Sequence, residues 1–184
     1  MRLTTNSGSI NIRMAGGSWL PWGPSPTVHS NRTLDLRLST SSGSVSGSVL
    51  AGNGGTTDIS TRSGSQSVTI YTVGVTKNDT TTRLSTTSAS GSQRLKVVSE
   101  STEDVRAIEG RHLTSGSASL GIEYPRQWMG KVHAWVDGSA HVSVSGSDLE
   151  RQGGGSNVYA WRGNGDLKEV EVHGEGSGYI DFSC

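Results

Sequence analysis

One cysteine, Cys184, stands at the very end of the 184 residues, so an internal disulfide is excluded. Nothing basic lies beside it in sequence to activate its thiol. The chain has one Phe, and no stretch of ten residues carries a 3.6-residue apolar period, which argues against a helical bundle. The nearest helix candidate, Ser101 to Ile108, has a capping-like start but little length. No apolar run is long enough to span a bilayer, and no signal peptide follows Met1, so membrane insertion is not expected. Neither sign of charge dominates: sixteen basic residues face sixteen acidic ones, which leaves no basic surface to draw nucleic acid. The apolar share is 31%, against roughly 45–50% with glycine counted in ordinary globular domains. The 26 glycines make up the difference. A folded protein with a narrow core is therefore expected, as one domain over 1–184.

What the chain does have is Ser, Thr and Gly in a recurring pattern. Ser63-Gly64-Ser65-Gln66-Ser67-Val68-Thr69-Ile70 is its clearest copy. Similar runs open at Gly8, Gly43, Gly91, Gly116, Gly138 and Gly176, spaced 21 to 38 residues apart. Four and six residues after the glycine the chain is usually large and apolar, as at Leu95 and Val97, Leu120 and Ile122, Val142 and Val144, Ile180 and Phe182. The copy at Gly43 is weaker, with Gly47 before Val49. Glycine suits a sharp corner, flanking serines hydrogen-bond its exposed backbone, and apolar residues two apart mark a strand with one buried face. Repetition at such intervals points to stacked units that bury a continuous core only together. The expected fold is an all-β, single-domain β-solenoid of about seven turns with Ser-Gly-Ser corners; a β-sandwich is the alternative.

Two stretches break the pattern. Residues 16–31 form a Pro/Trp-rich insert holding Trp19 and Trp22, read either as a cover for one end of the stack or as a ligand platform, since exposed indoles stack on sugars. Residues 145–157 read as a mobile Gly-rich loop. Pro125-Arg126-Gln127-Trp128-Met129-Gly130 is a turn, and Gly163-Asn164-Gly165-Asp166 another. The candidate interaction surface comprises Trp19, Trp22, Trp128 and Trp161. Because Met1 leads almost at once into a repeat unit, the chain reads as either a fragment of a longer protein or a truncated gene model, and its compartment is left open.

Strand–SerGlySer–strand units followed by Pro125, Arg126, Trp128 and Gly130, with a closing stretch at Val158 to Asp166 and Val170 to Phe182, resemble the bacterial adhesin-type β-solenoid family and its uncharacterised fungal counterparts. The resemblance implies surface adhesion and no catalytic residues.

Chemistry of other kinds is poorly supported. The acidic groups Glu100, Glu103, Asp104 and Glu169, Glu171, Glu175 do not recur at a fixed place in the repeat, as a polysaccharide lyase or hydrolase on this fold would need. His29, His112, His133, His141 and His173 show no ligand spacing, although His133 and His141 are placed to meet across adjacent strands. No catalytic residue, metal or cofactor is expected. The leading expectation is a non-catalytic structural or adhesin-like interaction module with a protein or glycan partner. Self-association is expected through open edges at the solenoid ends, Arg2 to Thr5 and Tyr179 to Cys184. The competing expectation is a carbohydrate-binding or diverged carbohydrate-active protein, in which Trp19, Trp22, Trp128, Trp135 and Trp161 gather on one face beside carboxylates.

Overall fold

A computed structural model describes residues 1–13, 33–51, 54–72, 81–99, 107–163 and 168–184. The insert with Trp19, Trp22 and His29 lies outside the described residues, as do Glu100, Glu103, Asp104 and Asn164 to Asp166. The chain is all-β, with two mostly parallel sheets, no helix among the described residues and no closed barrel.

Strands come in pairs, one in each sheet, joined at a glycine corner. The pairs are β1 (Arg2–Ser7) with β2 (Ile10–Arg13), β3 (Leu36–Ser42) with β4 (Val45–Ala51), and β5 (Thr56–Ser63) with β6 (Gln66–Thr72). They continue as β7 (Thr82–Ser90) with β8 (Gln93–Ser99), β9 (Ile108–Thr114) with β10 (Leu120–Glu123), and β11 (Gly130–Asp137) with β12 (His141–Ser145). A hairpin, β13 (Glu150–Gly154) and β14 (Asn157–Arg162), precedes the last pair, β15 (Glu169–Glu175) and β16 (Tyr179–Ser183). Parallel strands need a long return connection, ordinarily a helix. In this chain the strand of the opposite sheet supplies part of that return path, so no helix is required.

The first sheet runs β1-β3-β5-β7-β9-β15-β11-β14-β13 and the second β2-β4-β6-β8-β10-β16-β12. Only β14 is antiparallel to its neighbours, β11 and β13. The last pair in sequence is therefore not at an end. It is inserted between the fifth and sixth pairs, so Tyr179 to Cys184 is not the open edge that the sequence order implies. The edges belong to β1 and β13 in one sheet and β2 and β12 in the other. Nor is 145–157 a plain loop: it contains β13, a strand exposed along its whole length, and the turn into β14.

The corners explain the Ser-Gly-Ser motif. All seven motif glycines, Gly8, Gly43, Gly64, Gly91, Gly116, Gly138 and Gly176, take positive φ. They stack on one another in two runs, broken at Gly116, where a Cβ would meet Ala89 O at 3.4 Å and not Gly91. A Cβ on Gly43 would come within 2.6 Å of the carbonyl carbon of Gly8, one on Gly64 within 2.6 Å of that of Gly43, and one on Gly91 within 2.7 Å of that of Gly64. The same contact runs from Gly176 to Gly116 and from Gly138 to Gly176, repeating the inserted order. The first serine of the motif bonds across layers: Ser63 Oγ donates to Ser41 O at 3.0 Å, Ser90 to Arg62 O at 3.2 Å and Ser115 to Ala89 O at 2.9 Å. Inside the corner, Thr61 and Ser88 hydroxyls donate to the carbonyls of Gly64 and Gly91, each at 3.0 Å. Gly47, the irregularity of the weak copy, lies over the backbone of Ile12, where a Cβ would come within 2.9 Å of its carbonyl carbon.

Between the sheets, alternate residues form one narrow core. It includes Leu38, Ile59, Leu84, Ile108, Val170 and Val132 from the first sheet and Val49, Ile70, Leu95, Ile122, Phe182 and Val144 from the second. Each such side chain contributes roughly 1.5–3 kcal/mol by burial. The register corrects one equivalence read from spacing. Leu120 pairs with Gln93, and Ile122 with Leu95. Four residues separate the paired inward positions Ser88 and Gln93, whereas five separate Thr114 and Leu120. The later corners keep the longer form, with Gly174 and Ile180 aligned to Thr114 and Leu120.

Gly91→Ala is expected to destabilise the fold by about 2–3 kcal/mol, through positive-φ strain added to collision with Gly64 backbone. Gly121→Ala, where a Cβ would meet nothing nearer than Gln93 O at 3.8 Å, is the matched control, expected to stay within about 0.5 kcal/mol. Urea midpoints of the two variants check this, and equal midpoints would contradict the stacked-glycine account.

Candidate functional site

The tryptophans separate into two environments. Trp128 is fully buried, packed edge-on to Tyr124 at 5.4 Å and to Phe182 at 5.7 Å between ring centroids. Its ring covers Gly130, where a Cβ would collide with the indole. Trp128 is thus a core residue, not part of an interaction surface, and the Pro-Arg-x-Trp-x-Gly turn is a means of seating it. Trp135 and Trp161 point the other way. Alternation along β11 puts Lys131, His133, Trp135 and Asp137 on the outer face, and along β14 Asn157, Tyr159 and Trp161. Trp161, on the expected surface, is half-buried there, between Lys131 and Glu150 in register.

On that face three strands bring four rings into a continuous stack. Tyr159 lies on His133 with centroids 3.9 Å apart and planes 11° apart; His133 lies on Trp135 at 4.3 Å and 23°; Trp135 lies on His173 at 4.6 Å and 14°. Both imidazoles are held from the side. His133 Nε2 is 3.0 Å from Asn157 Oδ1, and His173 Nε2 is 2.8 Å from Asp137 Oδ2. Tyr159, at one end of the column, is 44% exposed. His133 does not meet His141, which stacks instead with Tyr179 at 6.2 Å. The column was half legible: the His133/Trp135 alternation is plain, but Tyr159 and His173 join it only through pairings of β11 with β14 and β15.

Of the acidic residues around the column, Asp137 meets His173 and Glu171 is paired across strands. Glu171 faces Arg111 at 3.6 Å, continuing a ladder of exposed cross-strand pairs with Arg83–Glu109 at 3.2 Å and Arg37–Asp58 at 3.1 Å. Such exposed pairs contribute little to stability and mainly order the surface. Among the described residues no group of three or more His, Cys, Asp or Glu is arranged to hold a metal ion.

Beneath this face lies a buried polar relay that the spacing of residues did not reveal. His112, fully buried, has Nδ1 2.9 Å from Thr86 Oγ1 and Nε2 3.2 Å from Tyr124 Oη. Gly110 leaves room for it, since a Cβ there would crowd Tyr124 Oη at 2.8 Å. Loss of water pushes His112 down from 6.5 to about 3 and pushes the Tyr124 phenol upward. A neutral imidazole donates from one nitrogen and accepts at the other, which matches two rotatable hydroxyls.

A second, half-buried device ties separate turns together. The Arg162 guanidinium donates to the carbonyls of Arg126, Trp128, Ser147 and Cys184, tying the Trp128 turn, the β12–β13 turn and the C-terminal residue together. The Cys184 thiol is raised by burial, partly offset by the Arg162 charge, so it is a poor nucleophile rather than a reactive one.

Comparison with protein-family models, curated proteins and solved structures gives no match to this chain.

The relay makes stability depend on pH. Native His112 stays neutral while the unfolded chain takes up its proton below about 6.5. The stabilisation is therefore complete above that pH and is lost as pH falls toward about 3, at roughly 1.4 kcal/mol per unit. Between pH 7.5 and pH 5 the unfolding free energy is expected to drop about 2 kcal/mol more in the native chain than in His112→Asn. Urea titrations at the two pH values decide it, and parallel pH profiles would remove His112 as the cause.

Proposed function

We propose that this chain is a non-catalytic, adhesin-like interaction module built as a β-solenoid of seven turns, and that it recognises saccharide surfaces through the ring column on its first sheet. The observation that carries this reading is the stack Tyr159–His133–Trp135–His173, held in place before any ligand arrives. Rings fixed by neighbours lose little freedom on binding, so contact area converts to affinity with a small entropic cost. Tyr159 offers a partly free ring with a hydroxyl at its rim, the combination that suits the apolar face and polar edge of a sugar. Gln152, paired in register with Tyr159, supplies an amide beside it, and Glu150 lies beside Trp161.

The solenoid reading rests on the alternation of strands between two parallel sheets and on the stacked glycine corners. It accounts for the resemblance to adhesin-type repeats, which relies on the same corners. It also places three of the column's rings on β11 and β15, in the interior of the first sheet, where strands on both sides support them.

The test is a panel of neutral and acidic polysaccharides, with calorimetry as the readout. At least one saccharide is expected to bind, with affinity reduced tenfold or more in Tyr159→Ala and in Trp135→Ala. A conservative change outside the column, Trp161→Phe, is expected to alter affinity less than threefold. No binding across the panel, or binding indifferent to Tyr159 and Trp135, would overturn the proposal.

A further inference from the structure

The outer face of the second sheet, on the opposite side from the ring column, carries a trough that the repeat itself does not require. Its floor is Gly121, the outward residue of β10 where the neighbouring strands carry Arg94 and Asp181. A depression of about 350 Å³ opens over Ser67, Arg94, Gly121 and Asp181. A second, of about 440 Å³, shares Arg94, Gly121 and Asp181 and extends toward Ser119 and Tyr179. Together they form one trough along β10, walled by Arg94 and Lys96 on one side and by Asp181 and Tyr179 on the other.

The charges across it are left unmatched in a specific way. Several Arg or Lys side chains and carboxylates on adjacent strands close onto each other, as Lys96 does with Glu123 at 2.7 Å. Arg94 and Asp181 occupy one row but stand two strands apart, about 9.6 Å at the usual strand spacing, with the bare Gly121 between them. Neither makes an ion pair or side-chain hydrogen bond among the described residues. With no side chain on Gly121, the row between them is open and wide enough to admit a ligand ring.

We infer that this trough is a binding site for a carboxylated saccharide of the uronic-acid type. Arg94 would take the carboxylate through its forked N–H donors. Asp181 would accept hydrogen bonds from ring hydroxyls, and Ser67 and Ser119 offer further small polar partners. Tyr179, 43% exposed, supplies an aromatic wall for the sugar's apolar face. A phosphate dianion suits the site less well, because Asp181 and Glu123 stand within the same trough and Lys96 is already neutralised by Glu123. This site is independent of the ring column, and either can stand without the other.

The experiment titrates the whole chain with trigalacturonic acid and with its methyl ester, followed by calorimetry and by amide chemical-shift changes. The acid is expected to bind at least tenfold more tightly than the ester, with shifts centred on Arg94, Gly121 and Asp181. Arg94→Gln is expected to erase the preference for the acid. Gly121→Tyr is expected to abolish binding by filling the trough, and the fold tolerates it because a Cβ there points into open space apart from Gln93 O at 3.8 Å. Tyr159→Ala, on the opposite face, is expected to leave trigalacturonate affinity within threefold. Equal affinity for acid and ester, unchanged affinity in Arg94→Gln or Gly121→Tyr, or no binding at all would overturn the inference. Loss of binding in Tyr159→Ala alone would assign the ligand to the ring column and sink the trough while sparing the proposed function.

Discussion

The close approach of one glycine corner to the next is the constraint on which the rest of the structure depends. Gly43 lies on Gly8, Gly64 on Gly43 and Gly91 on Gly64, each so near that a β-carbon would occupy the neighbour's carbonyl. That approach sets the layers at strand spacing where the chain turns between sheets, and the amide of Gly64 can then donate to Ser90 O at 3.0 Å. A corner held open by side chains would leave these amides and carbonyls unpaired at a partly buried bend, at a cost of about 1–3 kcal/mol each. Threonine and serine complete the arrangement from inside and outside the bend. Part of their abundance in the composition is therefore structural in origin, since the corner hydroxyls of Thr61, Ser63, Ser88, Ser90 and Ser115 each have a carbonyl to bond.

Much of this was legible in the sequence, and the limits of legibility have a common cause. A strand's side chains repeat every two residues, so a shift of two leaves every apolar residue on the same face. Leu120 therefore reads as the equivalent of Leu95, although it pairs with Gln93. The longer corner at 115–119 changes the register without changing the pattern. Layer order is invisible for a similar reason. Nothing in Val170-Glu171-Val172 or Ile180-Asp181-Phe182 distinguishes a terminal strand pair from one inserted between β9/β10 and β11/β12. Trp128 was misplaced because composition cannot say which way a lone indole faces, and Gly130, which makes room for it, reads as an ordinary turn glycine.

The buried polar groups join the layers in a second way. In the early layers the inward position after the corner is Ile10 or Val45, then Gln66 and Gln93, whose amides reach the carbonyls of Thr87 and Leu113. His112 and Tyr124 follow in the next layer. Each of these buries polar atoms in a core only two side chains thick, and most of them find a partner in the adjacent layer. The polar core thus links successive layers, adding directional contacts to apolar packing that by itself would tolerate slippage. It sits beside the Trp128–Tyr124–Phe182 cluster, where the fifth, sixth and seventh pairs converge.

That convergence also locates the ring column. A regular stack would place β11 between two parallel neighbours and bring like residues into rows. Insertion of β15 on one side of β11 and reversal of β14 on the other bring three unrelated segments together instead. His133 then meets Tyr159 across an antiparallel pair, while Trp135 meets His173 across a parallel one. No single repeat unit contains the column, and no reordering of identical units would generate it. The column therefore arises where the chain departs from its own repeat, and Arg162, at the end of the reversed strand β14, ties that strand to the turns at Arg126, Trp128 and Ser147.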